Sequence, residues 1–332
     1  MKLGSLKEGG RDGTLIVVSK DLSKAAVVGE ISKTLQHALE HWDLVSPKLE
    51  SVYQQLNAGQ IEDAFELDFT ALASPLPRAF EFVDGSAYLP HVERVRKARG
   101  AEVPDTFYVD PLMYQGTSAH FLGPRDDIPV VSEDYGIDFE AEIVAITGDI
   151  HMAATPQQAG KKILLLGLIN DVSLRGLIPG ELKKGFGFLQ SKPPSAFSPV
   201  FVTPDELGDA WEGYEINLPV RSWLNGEWFG EPEAGDNMQF DLSELIAHAA
   251  KTRPLMAGTI VGSGTIANDD TGKGASCLAE IRMLEIIANG KPSTSFMKFG
   301  DRVKIDMWDK QGNSICGSIE QTVVEYKPVI DV

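Results

Sequence analysis

The sequence predicts an α+β protein, rich in β-strand, with a small N-terminal domain at 1–75 and a larger body at 76–332. Three observations carry this. Short apolar runs bounded by glycine, proline and Asn-Gly turns outnumber helical patterns. Strand and helix never alternate for long, which disfavours an open parallel sheet. The proline-punctuated stretch LASPLPRAF, at 72–80, divides the chain. With 332 residues, 43% of them hydrophobic, both parts can enclose a core.

The elements follow in order. Residues 1–18 read as a hairpin turning at GGRDG. From Ile31 to Leu56 the apolar positions, among them Leu35, Leu39 and Trp42, share a helical stripe. DFEAEIVAITG, at 138–148, reads as one strand whose downstream half lies buried on both faces. Thr155 is positioned to cap a helix, and Asp241 with Glu244 has capping-box spacing. VRSWLNGEWFGE places Asn225-Gly226 between aromatic-rich runs, the signal of a type I′ hairpin. Its aromatics Trp223, Trp228 and Phe229 either fill the hairpin core or form a subunit contact. The closing stretch from Gly300 reads as two strands around an Asp309–Asn313 turn.

Composition narrows the functions. A net charge of −18 argues against nucleic acid, which wants a basic stripe. No apolar run reaches the roughly 18 residues of a membrane span. Two cysteines, Cys277 and Cys316, are too few for a disulfide framework. Cytoplasm is the simplest location. VGSGTIA matches a dinucleotide fingerprint, but a loop follows where the phosphate-binding helix should start. His37 and His41 lack the HExxH of a zinc protease and read as helix-surface residues.

What remains is a set of carboxylates. Glu140 and Glu142 stand two apart in a strand, so both point to one face. Like charges side by side cost free energy, so this face lies in water or a cation sits between them. Asp171 ends the apolar run Ile163 to Ile169, placed to enter a cleft or to cap the next turn. Arg175 follows four residues later, one helical turn away if the segment coils. Carboxylates suit Mg²⁺, Ca²⁺ or Mn²⁺ rather than zinc.

DFEAE, NDVSLR, SKPPSAFSP and GSGT, in that order, resemble the fumarylacetoacetate hydrolase family over roughly residues 76 to 330. The resemblance implies a mixed β-sandwich roll, a homodimer, and Mg²⁺ or Ca²⁺ at the active site. It implies Asp84, Glu140, Glu142 and Asp171 as metal ligands. It makes His91, seven residues after Asp84, the general base and Glu280 its partner carboxylate, preferred over Glu285 behind it because it opens a strand after GSGT. Arg175 and Lys192 would meet developing negative charge, while Tyr114 and Thr265 would bind substrate. His120 competes for the base role, and Lys183 and Lys184 are rivals of Lys192. Ile178 replaces the glutamine that the family places three residues after the active-site arginine. The implied activity is hydrolysis of a carbon–carbon bond in a 1,3-diketo acid, foremost fumarylacetoacetate in tyrosine breakdown. Sister chemistries are acylpyruvate hydrolysis, oxaloacetate decarboxylation and isomerisation or decarboxylation of 2-oxo-heptenedioates. A non-catalytic, metal-stabilised binding protein is the alternative of a different class.

Overall fold

The computed structural model describes residues 1–98, 102 and 104–328. Two sheets dominate. The larger, of eleven strands among the described residues, is built on the pair Ala141–Thr147 and Ile163–Asn170, antiparallel with Gly167 opposite Val144. All seven residues of Ala141–Thr147 are buried. Ile143 and Ala145 pack into one apolar cluster, Val144 and Ile146 into the other. The expected burial on both faces is therefore met by a sheet filled from two sides.

On one flank, Ala141–Thr147 pairs with Ile260–Gly262, which runs parallel to Phe82–Gly85. On the other, Ile163–Asn170 leads through Phe201–Val202 to the N-terminal meander, where Lys2 sits opposite Val202. The N-terminal segment thus extends the larger sheet. A second sheet of five strands contains the hairpin Val220–Leu224 and Glu227–Gly230, and the pair Arg302–Met307 and Ile319–Glu325.

Local signals place most turns and caps. Asn225 and Gly226 both have positive φ, 54° and 85°, as a type I′ turn requires. Thr155 and Asp241 each close a capping box, with Gln158 and Glu244 respectively. The Asp309 N–H donates to the Asn313 carbonyl, closing the last turn. Phe229 packs edge-on against Phe139 with ring centroids 5.0 Å apart, while Trp228 stays half exposed. Both cysteines are free and buried. Among the described residues no helix is long and apolar enough to cross a membrane.

Four local expectations need correction. The continuous helix from Ile31 is two helices, Leu35–Glu40 and Trp42–Asn57. His41 interrupts it because its ring Nδ1 engages the His37 carbonyl while its N–H turns to Ala38. The strand from Asp138 is broken at Glu140, whose N–H leaves the ladder for the Asn170 Oδ1. Arg175 does not follow a helical turn. It follows the strand Ser173–Leu174, which pairs with Ile137–Asp138 and carries Arg175 alongside Asp138. Glu280 opens no strand; it lies in the helix Leu278–Asn289. That segment is rich in helix formers, ends on the left-handed Gly290, and has its first N–H groups capped by Asp138.

Candidate active site

Three carboxylates converge where the central strands end. Asp84 comes from Phe82–Gly85, Glu142 from the start of Ala141–Thr147, and Asp171 from the residue after Ile163–Asn170. Each offers one oxygen within 4.8 Å of the other two, and all three side chains are buried. The first glycine of GSGT makes room for them: a Cβ on Gly262 would overlap Asp84 Oδ1 and lie 3.5 Å from Glu142 Oε2.

The three are unequally satisfied. Asp171 accepts from Ser195 Oγ at 2.7 Å, from the Tyr114 hydroxyl and from Lys192. Asp84 accepts from the Gly264 N–H at 3.1 Å. Glu142 receives no donor on either oxygen. Burial, then the charges of Asp84 and Asp171, push the Glu142 carboxyl well above its usual range. Burial and the Asp171 charge push Asp84 up to about 8. Without a cation, Asp84 and Glu142 relieve their repulsion only by holding a proton. The orphaned Glu142 and an all-oxygen donor set fit a hard divalent cation.

Glu140 occupies a different environment. Its Oε1 accepts from Arg175 at 2.6 Å and Thr265 at 2.7 Å, and its Oε2 from Lys192 at 2.6 Å and Ser173 at 2.9 Å. Burial would raise it, but Arg175 and Lys192 outweigh burial and hold it ionised far below the usual range. Lys192 bridges Glu140 and Asp171, while its sequence rivals Lys183 and Lys184 are exposed. So neither Glu140 nor Glu142 faces water, and they serve different partners.

Facing the carboxylates is a dyad. His91, in the helix Leu89–Ala98, places Nδ1 3.0 Å from Glu280 Oε2. Glu280 is fully buried, and Arg94 pairs with its other oxygen. Arg94 also donates to the Asn268 carbonyl at 2.6 Å, which anchors the pair. A cleft of about 360 Å³ joins the two groups; its wall includes Asp84, His91, Tyr114, Glu142, Lys192 and Thr265. His120 is exposed and lines another hollow, beside Arg78 and Phe121. His37 and His41 are exposed, stacked on each other at 4.5 Å.

Two residues of this machinery carry no role in the sequence reading. Asp138 accepts the N–H groups of Leu278 and Ala279 at 2.7 and 2.9 Å and pairs with Arg175 Nε at 2.9 Å. It therefore fixes both the helix of Glu280 and the arginine. The D-x-E-x-E alternation was its only signal. Arg94 lies three positions after His91, on the same helix face, and that spacing was its signal.

The family model described as fumarylacetoacetate (FAA) hydrolase C-terminal matches residues 81–324, and that of fumarylacetoacetase N-terminal domain 2 matches residues 1–78. The chain belongs to the fumarylacetoacetate hydrolase family. A 2,4-didehydro-3-deoxy-L-rhamnonate hydrolase of Sphingomonas sp. is 24% identical over 227 residues, 67% of this chain and 68% of that protein. Among solved structures, the fumarylacetoacetate hydrolase of Exiguobacterium antarcticum superimposes with a TM-score of 0.66 at 18% identity, covering 98% of this chain and 100% of that one. The maleylpyruvate hydrolase of Sphingobium sp., solved with manganese(II) and pyruvate, gives 0.64 at 15% identity, covering 98% and 99%. At such identities the structural likeness shows the fold, and the family fold is this sheet-rich α+β roll.

Proposed function

We propose that this family member is a divalent-cation-dependent hydrolase that cleaves a carbon–carbon bond of a 1,3-diketo acid. The observation that carries the reading is the His91–Glu280 dyad facing the carboxylate trio across one cleft. A purely structural cation site has no use for a base and its orienter.

Asp84, Glu142 and Asp171 would hold the cation, and Glu140, which Lys192 links to Asp171, is the fourth candidate ligand. When bound, the cation supplies a Lewis acid for the diketone oxygens. His91 has Nδ1 committed to Glu280, so its Nε2 is the base that takes a proton from water. Glu280, pinned by Arg94, fixes the tautomer and steadies the imidazolium, as the buried carboxylate of a hydrolytic triad does. Hydroxide adds to the carbonyl carbon, collapse of that tetrahedral adduct breaks the adjacent carbon–carbon bond, and the departing enolate takes up the proton held by His91. Lys192 and Arg175 provide pre-aimed positive charge on that side, each donor worth several kcal/mol at a developing oxyanion. Tyr114 and Thr265, whose hydroxyls lie on the cleft wall, are positioned to orient the substrate.

Asp84, His91 and Tyr114 follow the pattern of members that act on fumarylacetoacetate, which makes it one candidate substrate. Buried, apolar Ile178 in the same wall favours an acylpyruvate as the second. Mg²⁺, Ca²⁺ and Mn²⁺ all suit the donor set. The family's homodimer belongs to the reading and is checked by light scattering. Loss of diketone absorbance with Mg²⁺, abolished by EDTA, tests the activity. Cation binding without turnover of any diketo acid would favour the structural alternative.

A further inference from the structure

We propose that the catalytic cleft continues into an apolar groove that receives the distal arm of the substrate, so that the diketo acid carries an alkyl or aryl group there rather than a second carboxylate. This rests on the hydrolase reading and adds the substrate class. Next to the cleft lies a second hollow of about 670 Å³. The two share Leu112, Ile178, Leu182 and Phe188 as a common wall, with His91 and Arg175 at the junction. A chain leaving the reacting carbon can therefore run along this shared apolar wall into the groove.

Beyond the junction the wall is supplied by the helices Leu89–Ala98 and Leu278–Asn289, with Val95, Met283 and Ile286 facing inward. Among the described residues the wall contains no carboxylate, in a chain of net charge −18. Its described cations each lie against a partner. Arg282 lies 4.2 Å from the Phe296 ring centroid and donates to the Thr294 carbonyl. Arg96 lies 5.0 Å from that of Phe107, and Arg175 pairs with Asp138 and Glu140. A terminal carboxylate would exchange its water for a largely apolar surface, whereas an apolar arm loses nothing polar. Ile178 stands at the mouth, where a family glutamine would have offered an amide.

The test is kcat/KM in Mg²⁺ along the series acetopyruvate, hexanoylpyruvate, benzoylpyruvate and fumarylpyruvate. A buried methylene contributes about 0.8 kcal/mol, roughly fourfold. Hexanoylpyruvate, four methylenes longer than acetopyruvate, should therefore gain on the order of 100-fold, chiefly through KM. Met283→Gln and Ile286→Gln, on a partly exposed helix face, should cut the hexanoyl-to-acetyl ratio roughly tenfold. Equal rates along the series, or preference for fumarylpyruvate, would overturn the proposal. So would an unchanged ratio in variants that dissociate a dimer, since the groove would then belong to an interface between two copies. If no diketo acid is turned over, the hydrolase reading fails separately. Calorimetry with 2-oxodecanoate against pyruvate then decides the groove, and equal affinities refute it.

Discussion

Replacing Asp84 by asparagine should stabilise the cation-free protein while destroying its affinity for the cation. Asp84 is 4% exposed, and burial with the Asp171 charge moves its carboxyl from 3.8 up to about 8. A group raised in the folded state keeps its proton there after the unfolded chain has lost it. The folded protein thus binds more protons between pH 4 and 8, and stability falls as pH rises through that window. At pH 7 the interval is about three pH units, or roughly 4 kcal/mol at 1.36 kcal/mol per unit. Relaxation and water entry lower this figure. Asparagine keeps an Oδ1 for the Gly264 N–H and gains an amide that can donate toward the unpartnered Glu142. The assay is thermal unfolding in EDTA from pH 5 to 8.5. The wild type should lose several degrees across this range, and Asp84→Asn should lose much less. Adding Mg²⁺ should restore the wild type and leave the variant unmoved. Parallel curves for both proteins in EDTA would refute the idea of buried like charges awaiting a cation.

Three further outcomes follow from the same geometry. His91→Ala should lower kcat on the order of 10²–10⁴-fold while the Mg²⁺-induced rise in melting temperature persists, as thermal shift and steady-state kinetics together would show. Glu142→Gln should abolish that rise, which for the wild type amounts to about 2.7 kcal/mol of stabilisation at 100 times Kd; an unchanged rise would remove Glu142 from the cation site. Asp138→Ala should cost roughly 3 kcal/mol in urea unfolding, because it strands the partly buried Arg175 Nε and uncaps the helix of Glu280.

The sequence was most informative where chemistry is local. Asn225-Gly226, the Thr155 and Asp241 caps and the Asp309 turn were legible because the residues that form them are adjacent in the chain. Within the trio, Glu142 and Asp171 were flagged by their strand context, whereas Asp84 was legible only through the ordered motifs of a family, since separate strands bring the three together. The role of Glu280 in a helix was hidden because its helix is capped by Asp138, some 140 residues earlier in the chain. The divergence of Glu140 from Glu142 was hidden for a related reason. Period-two logic aligns them, but Asn170 pulls the Glu140 backbone off the ladder, and Arg175 and Lys192 claim its oxygens. The division of labour between two adjacent glutamates is decided by partners distant in sequence.

The most direct test of the central claim is the diketone absorbance of fumarylacetoacetate and acetopyruvate, followed with purified protein in Mg²⁺ and again in EDTA, with products identified. Cation-dependent loss of at least one substrate, yielding the two carboxylic fragments of carbon–carbon cleavage, is the predicted result. Cation binding by calorimetry, with both substrates recovered intact and tautomer exchange as the sole change, would contradict it.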